Sequence, residues 1–281
     1  MLSLIRLFAR LPLPAAHAIG AMVGLLSLLR PRFRHAVADN LRQAGLYTPG
    51  RLLKVAMELG KGLTELPAIW LRPLAEATGW VREVRGWEHV EAARQKGRGL
   101  IVLGPHLGCL ELAGLYLATR MPLTALYRRP RQDWFHELMK AGRLRGGGHI
   151  VEPNLAGVRA LFTALKRNEA VWVLPDQRAN KGEGVWAPIF GRWAYMPTLL
   201  YRLRDKSGAA AVMFCCERLP QGRGYRLTIE PLPDLPDDLD AAVRIVNGKL
   251  ETMARRLPDQ YLWNYRLHRL RGDTPPEGPA Q

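Results

Sequence analysis

The run Leu100-Ile101-Val102-Leu103 constrains this chain more than any other feature. Gly99 precedes it and Gly104-Pro105 closes it, and four apolar residues between glycines read as a short buried strand. Past Gly108 the spacing of Leu110, Leu112, Leu115 and Leu117 becomes that of a helix. A second run, Ala170-Val171-Trp172-Val173-Leu174, ends in Pro175-Asp176-Gln177-Arg178 and reads as another buried strand. Residues 81–84, 123–127, 149–151, 209–216 and 225–229 read as further strands, the last two as a hairpin through Gly222 and Gly224. Residues 36–74, 88–96, 132–144, 155–167, 197–207 and 241–256 read as helices, and 181–184 as a glycine-rich loop. Strands alternating with helices specify an α/β layer fold: a mixed central sheet flanked by helices.

His106 falls in the turn leaving the first strand, and Glu111 in the first turns of the helix after it. Sites in open α/β sheets gather at the carboxyl ends of strands. In one continuous helix, residues five apart differ by about 140° around the axis. A direct contact between His106 and Glu111 therefore needs His106 in a non-helical turn, which Pro105 and Gly108 favour. A carboxylate on one imidazole nitrogen fixes the tautomer and leaves the other nitrogen as a base. The start of the helix also offers backbone N–H groups for a developing oxyanion. The competing reading is a structural histidine beside a surface glutamate.

The 41 Lys and Arg against 25 Asp and Glu give a net charge of +16 over 281 residues. That suits an anionic membrane surface or nucleic acid, but the arginines are scattered along the chain without a dense arm, which weakens the nucleic-acid reading. The cysteines, Cys109, Cys215 and Cys216, form no C-x-x-C pair, and a reducing compartment fits. Residues 11–29 contain no Asp, Glu, Lys or Arg and approach the roughly 20 needed to span a bilayer. Arg30, Arg32 and Arg34 follow. With no small-x-small cleavage site after Leu29, the stretch reads as an uncleaved membrane anchor rather than a signal peptide, and its basic flank puts the following domain on the cytoplasmic side. A buried soluble helix is the alternative. The chain thus divides into an anchor with basic flank (1–34), one α/β domain (35–271) and a Pro- and Gly-rich, disordered tail (272–281).

Ser3, Ser27 and Ser207 are the only serines, and none sits in G-x-S-x-G, so a serine nucleophile is nearly excluded. There is no P-loop, no H-E-x-x-H and no metal signature; no metal is expected. Cys109, three residues from His106, would permit a covalent acyl intermediate, against the simpler reading of a small core residue.

Several stretches in order resemble the bacterial lipid A biosynthesis acyltransferases. His106-Leu107-Gly108-Cys109-Leu110-Glu111 is similar to their H-x4-D/E motif. Tyr127-Arg128-Arg129-Pro130 and Gly142-Arg143-Leu144-Arg145 are similar to their next block. Asp176-Gln177 with Phe190-Gly191 resembles their D-Q segment, and residues 258–266 their closing P-x-Q-Y-x-W-x-x-R. Arg178 stands where many members carry an acid, and Asn264-Tyr265 where many carry a histidine. The resemblance implies a glycerolipid acyltransferase-like fold and transfer of an acyl chain from acyl carrier protein to a hydroxyl of a lipid A precursor of the Kdo2-lipid IVA type. It implies the cytoplasmic face of the bacterial inner membrane, contact with membrane phospholipids, and no cofactor or nucleic acid. His106 and Glu111 would be the catalytic pair, and Arg128, Arg143, Arg145, Asp176, Gln177 and Arg178 would bind substrate. The rivals are an acyltransferase for another lipid acceptor, such as a lysophospholipid or glycolipid, and a non-catalytic protein that binds anionic lipid.

Overall fold

The computed structural model describes residues 2–265, 267, 268, 275 and 276. Six helices come first: α1 (Leu2–Ala9), α2 (Leu13–Ser27), α3 (Pro31–Gln43), α4 (Pro49–Thr64), α5 (Leu66–Leu71) and α6 (Leu74–Thr78). Strands and helices then alternate as β1 (Val81–Arg85), α7 (Trp87–Gln95), β2 (Leu100–Leu103), α8 (Leu110–Ala118), β3 (Leu123–Leu126), α9 (Asp133–Arg143), β4 (Gly148–Val151), α10 (Leu155–Lys166) and β5 (Ala170–Val173). The chain continues through β6 (Gly184–Ile189), β7 (Arg192–Pro197), α11 (Leu199–Ser207), β8 (Ala210–Arg218), β9 (Tyr225–Pro231) and α12 (Leu239–Arg256).

Seven strands form one mixed sheet in the order β1-β9-β8-β2-β5-β3-β4. All neighbours are parallel except β8 and β9, which form the expected antiparallel hairpin. The central strands are covered on both sides, which is why they read as unbroken apolar runs. Alternation inside those runs still sorts the side chains. Ile101 and Leu103, with Val171 and Val173, enter the core shared with α10, α11 and α12. Leu100 and Val102, with Ala170 and Trp172, enter the opposite core with α7 and α8. Burying each Leu, Ile or Val side chain among these contributes about 1.5–3 kcal/mol.

Three expectations differ from the structure. The single helical stretch over 36–74 is several helices. Gly45 turns with φ +69°, and Thr48 Oγ1 then caps α4 by accepting from the Arg51 N–H at 3.0 Å. Residues 184–197 form a hairpin, β6–β7, between the expected loop at 181–184 and the expected helix at 197–207, where the sequence pattern predicts no strands. Its turn has φ +49° at Phe190 and +70° at Gly191, the left-handed pair a two-residue hairpin needs, supplied here by Phe-Gly in place of Asn-Gly.

The third difference is the anchor. Among the described residues no single helix is long and apolar enough to cross a membrane; α2 and α3 together pass on length and composition but bend by 96°. Helix α2 lies against α4 through glycines. A Cβ on Gly24 would sit 1.9 Å from the Ala56 carbonyl oxygen, and one on Gly60 1.9 Å from that of Gly20. The outward face is bare: Leu26 is 58% and Leu29 78% exposed, and Met22, Val23 and Leu25 join them. The stretch is therefore one-sided, half packed and half open. Arg266 of the closing motif, and all but two residues of the 272–281 tail, lie outside the described residues.

Candidate active site

Strands β2 and β5 run side by side in parallel, Leu103 opposite Val173, and the Gly104 N–H donates to the Val173 carbonyl at 3.0 Å. Each strand ends at a buried residue followed by a turn containing a proline, Pro105 or Pro175. The third residue past the first is His106, and the third past the second is Asp176. Parallel pairing thus delivers both to the carboxyl edge of the sheet. The Asp176 carboxylate grips the turn twice: Oδ2 accepts from the His106 backbone N–H at 2.8 Å, and Oδ1 accepts from the ring Nδ1 at 2.9 Å.

That contact assigns the proton to Nδ1, leaving Nε2 as an acceptor. The Gln177 amide nitrogen lies 3.2 Å from Nε2 and donates to it. The His106 side chain keeps 19% of its surface exposed, whereas that of Asp176 keeps 1%. Burial pushes the imidazole pKa down, but the charge and hydrogen bond of Asp176, with the charge of Glu111, outweigh burial and the opposing Arg143, so the value is raised above the usual 6.5.

Glu111 stands where expected, on the first turn of α8, but its hydrogen bonds run elsewhere. Its carboxylate accepts from Trp70 Nε1 at 3.0 Å and from Arg143, whose Nε lies 3.1 Å away and whose Nη2 makes a second, closer bond. The residue that orients the imidazole is Asp176, since Glu111 faces α5 and α9. Burial raises the Glu111 pKa, but the Arg143 charge and hydrogen bonds with the Trp70 bond outweigh it and hold it low. Glu111 therefore acts on His106 through its charge.

Among the residues expected to bind substrate, Asp176 and Gln177 stand on His106, and Arg128 and Arg178 are exposed. Arg143 and Arg145 are engaged internally. Arg145 donates to the carbonyls of Ile69 at 3.1 Å and Trp70 at 2.8 Å, and also to that of Arg72. It closes the end of α5, where free carbonyls favour a cation. Just before α8, the N–H groups of Leu107, Gly108 and Cys109 bond the carbonyls of Pro105, Gln260 and Cys216, so the turn itself offers no free donors there. Cys109 is buried, and burial first, then the nearby Glu65, pushes its thiol pKa well above the usual value, which argues against a nucleophile.

Behind Asp176 the closing segment packs as an aromatic wedge, with Trp263 centred 5.0 Å from Phe190 and 4.8 Å from Tyr261. Burial and the adjacent Asp176 charge push the Tyr261 phenol pKa well up. Asn40 of α3 holds this segment by donating to the carbonyls of Trp263 and Tyr265, at 2.6 and 2.9 Å.

A partly exposed histidine with Nδ1 held by a carboxylate and Nε2 on a side-chain amide can serve as a site for general-base chemistry on a hydroxyl or similar group. The sequence model for the bacterial lipid A biosynthesis acyltransferases matches residues 52–270. The lipid A biosynthesis lauroyltransferase of Escherichia coli (strain K12) is 30% identical over 97% of this chain and 90% of its own length. The palmitoleoyltransferase of the same strain is 28% identical over 96% of this chain and 90% of its own. A phosphatidylinositol mannoside acyltransferase of Mycobacterium tuberculosis (strain ATCC 25618 / H37Rv) is 27% identical over 83% of this chain and 68% of its own. The chain belongs to the bacterial lipid A biosynthesis acyltransferase family, and is an acyltransferase.

Proposed function

We propose that this protein transfers a fatty acyl chain from acyl carrier protein to a hydroxyl of a lipid A precursor in lipopolysaccharide biosynthesis. The observation that carries the reading is the partly exposed His106 ring, its Nδ1 on Asp176 and its Nε2 on the side-chain amide of Gln177. The acceptor hydroxyl takes the place of the Gln177 amide beside Nε2. His106 removes its proton as the oxygen bonds to the thioester carbonyl carbon. The carbon–sulfur bond then breaks, and the departing thiolate takes the proton back from the imidazolium. Asp176 and Glu111 stabilise the imidazolium between these steps. A thioester is already activated, so the reaction needs no covalent enzyme intermediate and no cofactor.

The anionic groups of the acceptor suit the exposed Arg128 and Arg178. An acidic carrier protein suits the net charge of +16. The bare face of α2, with Arg6, Arg10, Arg30, Arg32 and Arg34 exposed around it, fits a helix lying in the headgroup region of an anionic cytoplasmic leaflet. A second acceptor class, a glycolipid of another type, is favoured by the likeness to the mannoside acyltransferase.

The test is transfer by purified protein in vesicles containing anionic phospholipid. Acyl carrier protein thioester is the donor, offered with a bis-phosphorylated lipid A precursor or a phosphatidylinositol mannoside, and the products are read by mass spectrometry. The reading expects one added acyl chain on the lipid A precursor, and a loss of about 10²–10⁴-fold in His106→Ala. Acylation of the mannoside alone would move the protein to the second acceptor class. No transfer to either would remove the catalytic reading.

A further inference from the structure

The turn carrying His106 is held from its far side by a second cluster of charged groups that the transfer reaction does not touch. Glu65, at the junction of α4 and α5, is 1% exposed, and Arg218, at the end of β8, is 7% exposed. Arg218 donates to the Glu65 carboxylate from Nε, at 2.9 and 3.1 Å, and from Nη2 at 2.6 Å. The Tyr225 hydroxyl donates to the same carboxylate at 2.7 Å, and His17 Nε2 of α2 lies 3.1 Å from it. Burial raises the Glu65 pKa, but the Arg218 charge and the hydrogen bonds from His17 and Arg218 outweigh it, so the group is held ionised. All four of these residues are buried.

One bond leaves the cluster for the active site. Arg218 Nη2 also donates to the carbonyl of Gly108 at 3.0 Å, two residues past His106. Gly108 stands at φ +68°, and a Cβ there would lie 2.0 Å from the Cys216 carbonyl oxygen. Its N–H donates to the Gln260 carbonyl at 3.1 Å. The Gln260 side chain in turn exchanges hydrogen bonds with the backbone of Arg218, at 2.8 and 2.9 Å. The turn is thus fixed at Asp176 on one side and at Arg218 on the other.

We propose that Arg218, held by Glu65, is a positioning residue for acyl transfer: its guanidinium fixes the Gly108 carbonyl and thereby the angle at which the turn presents His106. The inference rests on the acyl-transfer reading. Through His17 it also joins the turn to α2, the helix whose outer face is bare. A misplacement of about 1 Å in a reacting group costs about a hundredfold in rate, so a loosened turn lowers kcat while the substrate contacts remain. It also weakens the hold of Asp176 on the ring. The charged groups facing His106 are Asp176, Glu111 and Arg143. With Asp176 loosened, the net upward shift shrinks, and the acid limb of the pH profile moves down.

Removing one partner alone would strand a buried charge, so the deciding variant is the neutral pair Glu65→Gln/Arg218→Met. It keeps an acceptor for Tyr225 and His17, and removes the donor to Gly108 together with the Glu65–Arg218 pair and the guanidinium 3.8 Å from the Glu58 carboxylate. Wild type, the pair and Arg218→Lys are compared for thermal midpoint, kcat, KM for both substrates and the pH dependence of kcat/KM. The inference expects a folded pair with kcat lower by about 30–100-fold, both KM values nearly unchanged, and an acid limb moved toward the ordinary imidazole value of about 6.5. Arg218→Lys, which keeps the charge and one donor, should recover part of the kcat. A folded pair with wild-type kcat and acid limb would make the cluster purely structural and overturn the inference. Should the pair not fold, Arg218→Lys decides alone: a lowered kcat at unchanged KM supports the inference, and wild-type kcat overturns it. Failure of wild type itself to transfer would overturn the acyl-transfer reading and this inference together, which separates the two failures.

Discussion

His17 and His106 each hydrogen-bond a buried carboxylate, with an arginine-bound glutamate close by, yet they sit in opposite situations. His17, with Glu65, Arg218 and Tyr225, is sealed between α2, the α4–α5 junction and the ends of β8 and β9; its side chain is 6% exposed. Both ends of its polar contact lie inside the protein. The His106 ring has one nitrogen closed off by Asp176 and the other covered only by a side-chain amide. The same kinds of group therefore give a brace in one place and, in the proposed reaction, a base in the other, and the cover on one imidazole nitrogen makes the difference. Exposure also explains the position of the charges. The sealed cluster balances a carboxylate with a guanidinium inside one hydrogen-bonded unit. At the open site the guanidinium of Arg143 lies on Glu111, one step removed, so that Asp176 is left to act on the ring.

The contrast predicts that the two carboxylates fail differently. Glu65→Ala leaves the buried Arg218 without its hydrogen-bonded counter-charge, with only the Glu58 carboxylate 3.8 Å from Nη1, which costs about 3–5 kcal/mol. At about 2–4 °C per kcal/mol for a chain of this size class, the thermal midpoint should fall by about 10 °C, measured by thermal denaturation in detergent. A midpoint within 2–3 °C of wild type, on that same scale, would mean that the cluster is not the brace described. Smaller still is the effect expected at Cys109. Because its thiol is buried and held protonated, Cys109→Ala should cost about 1 kcal/mol of stability and leave turnover within about threefold, less than 1.36 kcal/mol of barrier. A folded but inactive Cys109→Ala would bring back a covalent acyl-enzyme.

The order of strands and helices after residue 80 was legible because each buried strand is an apolar run closed by Gly or Pro. The place of His106 followed from it. The partner of His106 was harder to see, because Asp176 lies 70 residues away and strand adjacency is not written in either strand. A signal was present nonetheless: both runs end in a turn containing a proline, at Pro105 and Pro175, and a polar residue follows each proline at once. Reading both as strand ends on one sheet edge would have moved Asp176 from substrate binding to the ring. Glu111 reads as the orienting acid from its spacing and from the H-x4-D/E motif, and neither reveals that Arg143 and Trp70 claim its oxygens. Arg145 looked like an anion ligand because the carbonyls it caps belong to α5, more than 70 residues earlier. The pair Glu65–Arg218, 153 residues apart, leaves no local trace. At the N-terminus, absence of charge over 11–29 could not tell a helix surrounded by lipid from one packed on a side through Gly20, Gly24 and Gly60.

The proposed role of His106 as base rests on Asp176. It is tested most directly by the pH dependence of kcat/KM for wild type and Asp176→Asn. The base acts only when deprotonated, so a raised imidazole pKa places the wild-type acid limb above about 6.5. Replacing the carboxylate by an amide removes the charge that raises the pKa and the acceptor that fixes the tautomer. The limb should move down, and the plateau should fall by about 10²–10⁴-fold. An Asp176→Asn enzyme whose limb and plateau both match wild type would contradict the account.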